Sequence, residues 1–231
     1  MSKRSNFPEP VPPASQLTVL PFLSAVHGLL AGDTENANLR ITMHRVMSRE
    51  GQGYLQQTCT YFGLTSYDQT KVGRMFTVDT GIMGAAFDKS KIQRTRHYQK
   101  ITDLQADLRQ DLKELGKEDE FDKIPLSYLA VPLLGPGNKA VLILYAECNL
   151  LNFFANDNRL SQLTGMCNGF CRLIDWLNTE QPFDTLRNYP LEMEKLAYDR
   201  PTVFRRLQES VDLEPPCFKS VTSVNFDVSI G

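Results

Sequence analysis

Apolar residues recur every three or four positions in three stretches of the chain, which is the spacing of a helix with one buried face. The first stretch predicts a helix from about Thr18 to Gly32, with Pro21 in its first turn, where a missing N–H is tolerated. The second predicts a helix from about Ile101 to Leu115, and the third predicts one from about Ala155 to Leu177. The apolar positions are Leu20, Leu23, Val26 and Leu30; Leu104, Leu108, Leu112 and Leu115; and Leu160, Leu163, Cys167, Phe170, Ile174 and Leu177.

Other stretches alternate apolar and polar residues, or are apolar for a few positions, as strands are. Leu39 to Met47 alternates in its first six residues, and a glycine-rich turn joins it to Tyr54 to Phe62, so the two predict a hairpin. A second hairpin is predicted for Tyr128 to Leu134 and Ala140 to Glu147, joined by Gly135-Pro136-Gly137-Asn138. Hairpin connections of this length predict antiparallel neighbours.

Between the hairpins, residues 72–98 combine a short strand, a glycine-punctuated turn, a helix of small residues and a cationic run. Arg74 to Val78 is the predicted strand, and Thr80 is the predicted N-cap of a helix from Gly81 to Lys89. The Gly and Ala residues of this helix let its backbone approach a sheet or a ligand closely. The connection that follows can hold a short strand and ends in Arg94-Thr95-Arg96-His97-Tyr98.

Prolines distinguish the two ends of the chain from its middle. Residues 1–16 are predicted to be a Pro-rich extended tail, residues 17–180 one domain, and residues 181–231 a C-terminal extension. Four apolar residues of the extension predict a short amphipathic helix: Val203, Phe204, Leu207 and Val211. The last residues alternate strictly and predict a terminal strand, whose apolar side carries Val224, Phe226, Val228 and Ile230.

Composition excludes several classes of protein. A net charge of −2 and a sequence pI of about 6.0 lack the basic footprint of nucleic-acid binding. No apolar run approaches the ~20 residues that cross a bilayer, and Met1 to Ser5 does not lead into the apolar region of a signal peptide. The five scattered cysteines favour free thiols in a reducing compartment. We therefore expect a cytoplasmic protein that binds neither nucleic acid nor membrane.

The order of elements over residues 17–180 resembles a GAF domain, a small-molecule sensing module. The matching pieces are Gly73 before the short strand, Gly81 and Gly84 in the small-residue helix, the hairpin Tyr128 to Glu147, and Phe153 with Asp157 before the closing helix. The resemblance implies an α+β fold with a GAF/PAS-like central antiparallel sheet of five to six strands. In that fold the long helices lie on one face, and a short helix and loop cap lies on the other.

The resemblance also implies a ligand pocket between the sheet and the cap. Arg94 and Arg96 are expected to hold a phosphate or carboxylate by charge-assisted hydrogen bonds, and the helix N-terminus at Gly81 is expected to add amide donors. The alternative for this basic run is a solvated loop that balances the three aspartates of the next helix. The residues implied for ligand binding are Met75, Phe76, Gly81, Ile82, Arg94, Arg96, Tyr98 and Tyr128.

The chain departs from two ligand-binding branches of the family. Cyclic-nucleotide-binding relatives carry Asn-Lys after the second strand of the last hairpin, whereas Asn138-Lys139 lies before that strand here. Those relatives also carry Asp-Glu further on, and here Asp157 is followed by Asn158. Bilin-binding relatives need a cysteine that is usually followed by histidine, and the chain has no Cys-His pair. The sequence therefore leaves the ligand and any cofactor unidentified.

With no recognisable catalytic arrangement, a GAF-like chain is expected to be a non-catalytic small-molecule sensor or signalling adaptor. An alternative from another class is a redox enzyme of the free methionine sulfoxide reductase type, which would use Cys59 or Cys148. A third interpretation is a ligand-free structural adaptor whose pocket is filled by its own side chains. The candidate fillers are Met75, Phe76, Met83 and Phe87.

Two further groups have simple structural interpretations. Cys167 and Cys171 are one helical turn apart, a spacing that can bind metal, but they lie on an apolar seam where thiols behave as small core residues. We expect core packing and no metal. His44 falls on the polar side of its strand with Arg40 and Thr42, and we expect it to be exposed or partly covered.

Partners are expected to carry the signal, because no catalytic or DNA-binding output segment is recognisable after the sensor-like domain. The apolar stripes of the first and last domain helices predict a homodimer or a partner interface beside their contact with the sheet. The terminal strand is expected to pair with its own sheet, or with a partner's sheet by β-augmentation.

Overall fold

Seven strands form one sheet in a computed structural model that describes residues 13–32, 34, 36–49, 51–63, 71–79, 81–116, 124–179 and 206–220. The order across the sheet is β3-β2-β1-β6-β5-β4-β7, and neighbouring strands are antiparallel throughout. The strands are β1 (Leu39–Arg49), β2 (Gln52–Gln57), β3 (Met75–Thr77), β4 (Gln93–Thr95), β5 (Ser127–Gly135), β6 (Lys139–Cys148) and β7 (Gln208–Ser210). The predicted α+β class is confirmed, with seven strands in place of five or six.

Within the described residues, four helices accompany the sheet: α1 (Pro13–Ala31), α2 (Gly81–Lys89), α3 (Ile101–Leu115) and α4 (Asp157–Thr179). The bounds of α2 and α3 are those that the sequence predicts. The prediction for α1 is wrong at its start, because the helix begins at Pro13 and takes in part of the predicted tail. Pro21 therefore lies inside α1, where it removes one backbone hydrogen bond. Within the described part of the chain, none of these helices has the length and apolar character of a membrane span.

The long helices α1 and α4 pack together on one face of the sheet, called here the helix face. Phe22 of α1 stacks on Phe170 of α4, with ring centroids 4.4 Å apart and an interplanar angle of 21°. The apolar side of β1 and the alternate residues of β5 and β6 complete this core. Its buried residues include Leu23, Val26, Leu39, Ile41, Met43, Leu129, Val131, Leu142, Leu144, Leu163, Cys167, Cys171 and Ile174.

The short helix α2 covers the opposite side of the sheet, called here the α2 face. Ile82, Met83 and Phe87 are buried there against β1, β2, β5 and β6. Gly84 lies so close to the preceding turn that an added Cβ would be 2.6 Å from the carbonyl carbon of Asp79. The glycine at this position therefore allows the backbone of α2 to lie close to the turn before it.

A third, smaller apolar cluster lies where α3 packs against Leu207, in the C-terminal region of the chain. It contains Tyr98, Leu104, Leu108 and Leu207, all buried. Gly116 ends α3 with φ of 66°, and its N–H donates to the carbonyl oxygens of Leu112 and Lys113. The apolar stripe predicted for this helix thus packs on residues of the C-terminal region.

The C-terminal segment, residues 206–220, belongs to the same folded unit. β7 pairs with β4 at the sheet edge. Leu134 donates its N–H to Pro216 O at 2.8 Å and accepts from Phe218 N at 2.6 Å. Phe218 is only 1% exposed and lies in the core of the helix face. This part of the predicted extension therefore docks on its own domain.

Two further predictions are corrected by the backbone. The predicted second strand stops at Gln57. Beyond it, the chain contacts β1 through the Thr58 N–H, which donates to Met43 O at 2.9 Å, and through an isolated bridge between Phe62 and Ile41. The short helix predicted around Leu207 and Val211 is wrong in its described part, since these residues flank β7. Val203, Phe204, Thr80 and the predicted strand at residues 224–230 lie outside the described residues.

Candidate ligand site on the α2 face

Polar residues from three adjacent strands meet in aligned rows on the α2 face. They belong to β1, β2 and β6, the centre of the sheet, where a buried face is normally apolar. The register pairs Arg40 with Glu147, Thr42 with Tyr145, and His44 with both Ile143 and Gln57. Tyr128 of β5 extends the first row beyond Glu147.

His44 is the most unusual residue of these rows. Its side chain is fully buried, and neither Nδ1 nor Nε2 has a hydrogen-bond partner among the described residues. Its ring lies in edge contact with Phe76 and Tyr145, at centroid distances of 5.7 and 6.0 Å. Burial, with a further effect of the Arg74 charge, lowers the pKa of His44 to about 3, so the imidazole is neutral at pH 7. The expectation of an exposed or partly covered His44 is wrong, because β2, β3 and β6 enclose this part of β1.

Glu147 is the buried carboxylate of the site. It forms an ion pair with Arg40, and its Oε2 accepts a hydrogen bond from the Tyr145 hydroxyl at 2.9 Å. Burial raises the pKa of Glu147 although Arg40 and the Tyr145 hydroxyl act in the opposite direction. Burial, and next the charge of Glu147, also raises the pKa of Tyr145 well above its ordinary value. This group is therefore an internally satisfied polar cluster.

Arg74 approaches the rows from the segment before β3. Its guanidinium bonds the Gln57 Oε1 through Nη2 at 2.9 Å and Nε at 3.3 Å, and its Cζ lies 5.3 Å from the centre of the Phe76 ring. Tyr61, which lies under the guanidinium of Arg40 at 5.4 Å, also interacts with Arg74. Burial, and next the charge of Glu147, raises the pKa of Tyr61 to about 12. Aromatic rings and cationic side chains therefore border the same region.

The sequence-predicted site residues separate into two regions. Phe76, Ile82 and Tyr128 lie on the α2 face. Gly81 begins α2 with φ of 55°, and Met75 alternates with Phe76 along β3, so its side chain lies on the other side of the sheet. Of the eight predicted residues, Phe76, Ile82 and Tyr128 therefore place their side chains on the face that carries the polar rows.

The remaining three predicted residues, Arg94, Arg96 and Tyr98, lie elsewhere, so the structure does not bring the eight predicted residues together in one place. Arg94 bonds Asp157 Oδ1 at 2.6 Å and Glu209 Oε1 at 2.7 Å. Arg96 forms an ion pair with Asp107 and lies over the Tyr98 ring, with its Cζ 4.8 Å from the ring centre. The Tyr98 hydroxyl donates to Asp107 Oδ2 at 2.9 Å. Because both guanidinium groups already bind carboxylates, they serve the contacts with α3, α4 and β7.

Five residues that the sequence interpretation did not propose lie in the polar rows or beside them: Arg40, His44, Arg74, Tyr145 and Glu147. One signal for them was present. The polar side of β1 and the Tyr-x-Glu pattern at the end of β6 fall on the same face once the two strands pair. That pairing joins residues about a hundred positions apart, and no local pattern predicts it.

Four of the five cysteines are poorly placed to act as reactive thiols. Cys59, Cys148, Cys167 and Cys171 are fully buried, and burial raises the pKa of each thiol. Such thiols are poor nucleophiles, because the reactive form is the thiolate. Among the described residues, no three His, Cys, Asp or Glu side chains come together as metal ligands.

Comparison with family models finds no match, and neither does comparison with curated proteins. Among solved structures, the chain is similar to the IcIR transcriptional regulator from Alicyclobacillus acidocaldarius. The two share 15% sequence identity over 66% of this chain and 63% of that one, with a TM-score of 0.33. The match thus spans less than two thirds of the regulator's length. A likeness of this degree carries no argument about function.

Proposed function

We propose that the protein is a non-catalytic, GAF-like small-molecule sensing module that acts through partner proteins, and that its ligand binds on the α2 face beside His44. The observation that carries the proposal is a fully buried imidazole whose two nitrogens have no partner in the part of the chain that the structure describes. Buried polar groups in folded proteins are nearly always satisfied, and an orphaned one calls for a bound molecule or a function. Charged and aromatic side chains border the same position, as they do in small-molecule sites.

Binding fits the site better than catalysis does. A general base needs a pKa near the working pH, whereas burial lowers the pKa of His44 to about 3. Glu147 is occupied by Arg40 and Tyr145. A redox enzyme that uses Cys59 or Cys148 would need an accessible thiolate, and both thiols are buried with raised pKa values.

A ligand-free adaptor is the second candidate, favoured by the packing of α2. Met83 and Phe87 are buried directly on the α2 face together with Ile82, so the protein's own side chains fill part of the predicted cavity. This candidate leaves the two nitrogens of His44 unexplained. A sensor and a filled adaptor therefore differ in one measurable property, the presence of a molecule that satisfies His44.

The proposal includes a second copy of the chain as a partner, docked on the outer surface of α1 and α4. Leu173 and Trp176 on α4 are 49% and 55% exposed, although both are large and apolar. Gly165 and Gly169 of α4 and Gly28 of α1 have open space beside their Cα atoms, which lets another helix approach closely. Apolar side chains beside open glycine positions suit helix-to-helix contact between two copies.

Native mass spectrometry of gently purified protein, followed by thermal-shift screening of a metabolite panel, tests the function. We expect a retained or stabilising small molecule whose effect falls in Tyr145→Phe, because this change removes the hydroxyl that orients Glu147. Tyr98→Phe is the matched control, since it removes a tyrosine–carboxylate hydrogen bond outside the site. Bare protein that no panel member stabilises would favour the adaptor.

A further inference from the structure

We propose that the protein has a second binding site, a cavity beside the tip of the β5–β6 hairpin that takes a short acidic peptide with free ends. This cavity, called here the hairpin cavity, has a volume of about 750 Å³. Its lining contains no residue of the polar rows on the α2 face. The inference therefore goes beyond the proposed sensing function and does not depend on it.

Three segments of the chain enclose the hairpin cavity and are hydrogen-bonded to one another. Ser90, which follows α2, donates its hydroxyl to Asn138 O in the hairpin at 2.8 Å. Val211, which follows β7, donates its N–H to Ile92 O at 2.8 Å. The backbone bonds of Leu134 with the C-terminal segment join the remaining two segments. The fold therefore forms the cavity in advance, as is usual for small-molecule sites.

The floor of the hairpin cavity is apolar. Leu134 and Val211 are each only 5% exposed, and the half-buried Leu213 and Pro215 also line the cavity. Ligand sites commonly have volumes of roughly 300–1,000 Å³ and combine an apolar lining with a few polar groups that fix the orientation of the ligand. The hairpin cavity has the size and the lining for an organic molecule much larger than a single ion.

The rim of the cavity carries charges of both signs, each on different segments. Lys89, Lys91 and Lys139 come from the end of α2, the residues after it and the start of β6. Asp212 and Glu214 come from the C-terminal segment. Within the ranges that the structure describes, Lys89 and Lys91 form no ion pair, and neither do the two acids. Opposite charges thus line one cavity without pairing across it.

A short peptide matches this arrangement of charges. Its terminal ammonium can pair with Asp212 or Glu214, while its terminal carboxylate and an acidic side chain pair with the lysines. A free amino acid carries both charges on one carbon atom, whereas a tripeptide spans roughly 10 Å between its ends. Because three lysines face two acids, complementarity favours a peptide with net negative charge. An apolar middle residue would lie on the floor.

Cys217 provides the measurement, because it lines the cavity and is exposed, whereas the other four cysteines are buried. The tripeptide Ala-Leu-Glu should slow the labelling of Cys217 by a thiol reagent in the full chain, and the effect should saturate. N-acetyl-Ala-Leu-Glu lacks the ammonium, and Ala-Leu-Gln amide lacks both carboxylates. We expect each analogue to bind about threefold more weakly, since a single exposed ion pair contributes little. Succinate should bind more weakly than the tripeptide.

Two double variants separate the two sides of the rim. Lys89→Gln with Lys91→Gln should reduce the preference for Ala-Leu-Glu over Ala-Leu-Gln amide. Asp212→Asn with Glu214→Gln should abolish the preference for Ala-Leu-Glu over its acetylated form. Lys113→Gln is the control, since Lys113 is an exposed lysine of α3 outside the cavity, and both preferences should persist in it. Each variant is compared with its own labelling rate without peptide.

Other outcomes overturn the proposal. Equal protection of Cys217 by all three peptides would refute recognition of the charged ends. Protection by succinate as strong as that by Ala-Leu-Glu would make the cavity a site for simple anions. No protection at millimolar peptide would refute the site, and preferences that persist in both double variants would place the peptide elsewhere. None of these results bears on the sensing function, which the comparison of Tyr145→Phe with Tyr98→Phe tests separately.

Discussion

The Oδ1 oxygen of Asp175 on α4 accepts two hydrogen bonds from Ser220, from its backbone N–H at 2.9 Å and from its hydroxyl at 2.7 Å. The Oδ2 oxygen accepts the N–H of Lys219 at 2.7 Å. One carboxylate thus holds the end of the C-terminal segment against the helix face. Backbone N–H groups that would otherwise be unpaired near α4 are satisfied by this one side chain.

Asp175→Ala should lower the free energy of unfolding by about 1–3 kcal/mol, the range for losing hydrogen bonds to a charged group. Hydrogen exchange at Lys219 and Ser220 should become faster, because their N–H donors lose their acceptor. Asp212→Ala is the matched control, as Asp212 is an exposed carboxylate of the same segment. Unchanged exchange at Ser220 in Asp175→Ala would show that the segment is held by other contacts.

Phe218 and Cys217 are adjacent but have opposite environments. Phe218 is buried in the core of the helix face, whereas Cys217 is exposed. Phe218→Ala should cost about 3–5 kcal/mol, as expected for an aromatic core residue, and Cys217→Ala should change stability little. Denaturant unfolding of both variants gives the comparison. A small loss in Phe218→Ala, with one cooperative transition retained, would contradict the inclusion of this segment in the core.

Helices were predictable from sequence where the local pattern determines them. The apolar stripe of α3 and the stop at Gly116, and the glycines of α2, mark bounds that the structure reproduces. β7 was not predictable in this way, because its three residues carry no alternation of their own. It is a strand only because Gln93 to Thr95 offer an open edge more than a hundred residues earlier.

The site was less predictable than the fold, because burial and pairing there depend on distant segments. Arg94 and Arg96 suggested an anion site through their charge, but their carboxylate partners come from α3, α4 and β7. His44 looked like a surface residue because it alternates with apolar neighbours. Its burial follows from the central place of β1 in the sheet, which is a property of the assembled strands.

Gly84 tests the close approach of α2 to the turn before it. An added Cβ would meet the backbone of Val78 and Asp79 at 2.6 to 2.7 Å, and backbone cannot move aside easily. Gly84→Ala should therefore destabilise by roughly 1–3 kcal/mol, the range for overpacking. Gly169→Ala, measured in the Leu173→Glu background so that contact between two copies does not contribute, adds a Cβ that meets nothing within 4 Å in its own chain and should stabilise α4 by about 0.5–1 kcal/mol. Thermal melts that move in the same direction for both variants would contradict this packing.

Leu173 tests the proposed contact between two copies. Leu173→Glu places a charge in the middle of the exposed apolar patch of α4 and should convert a dimer to a monomer, because burying an unpaired charge is unfavourable. Thr102→Glu introduces the same charge at an exposed position of α3, away from the outer surface of α1 and α4, and should leave the dimer intact. Size-exclusion chromatography with light scattering measures the mass. A wild-type protein that is monomeric at tens of micromolar would refute the dimer.

His44 makes stability depend on pH in a direction that its environment determines. Because the pKa of His44 is lowered in the folded protein to about 3, the unfolded chain binds a proton there at a higher pH than the folded chain does. The contribution of His44 is therefore fully present above about pH 6.5 and is lost as the pH falls toward 3. Glu147, whose pKa is raised, contributes in the opposite direction in the acid range.

His44→Leu isolates this contribution, because Glu147 and the other titrating groups remain in both proteins. The difference in free energy of unfolding, variant minus wild type, should grow in favour of the variant by roughly 1.4 kcal/mol per pH unit below pH 6.5. At pH 8 the variant should be as stable as the wild type or more so, since leucine removes two unsatisfied buried nitrogens. Met43→Leu is a volume-conserving change at the residue before His44 in β1. Its difference in free energy of unfolding from the wild type should not depend on pH in this way. A pH-independent difference for His44→Leu would mean that the imidazole can protonate without leaving its folded position, and hence that a group able to accept its proton lies against it.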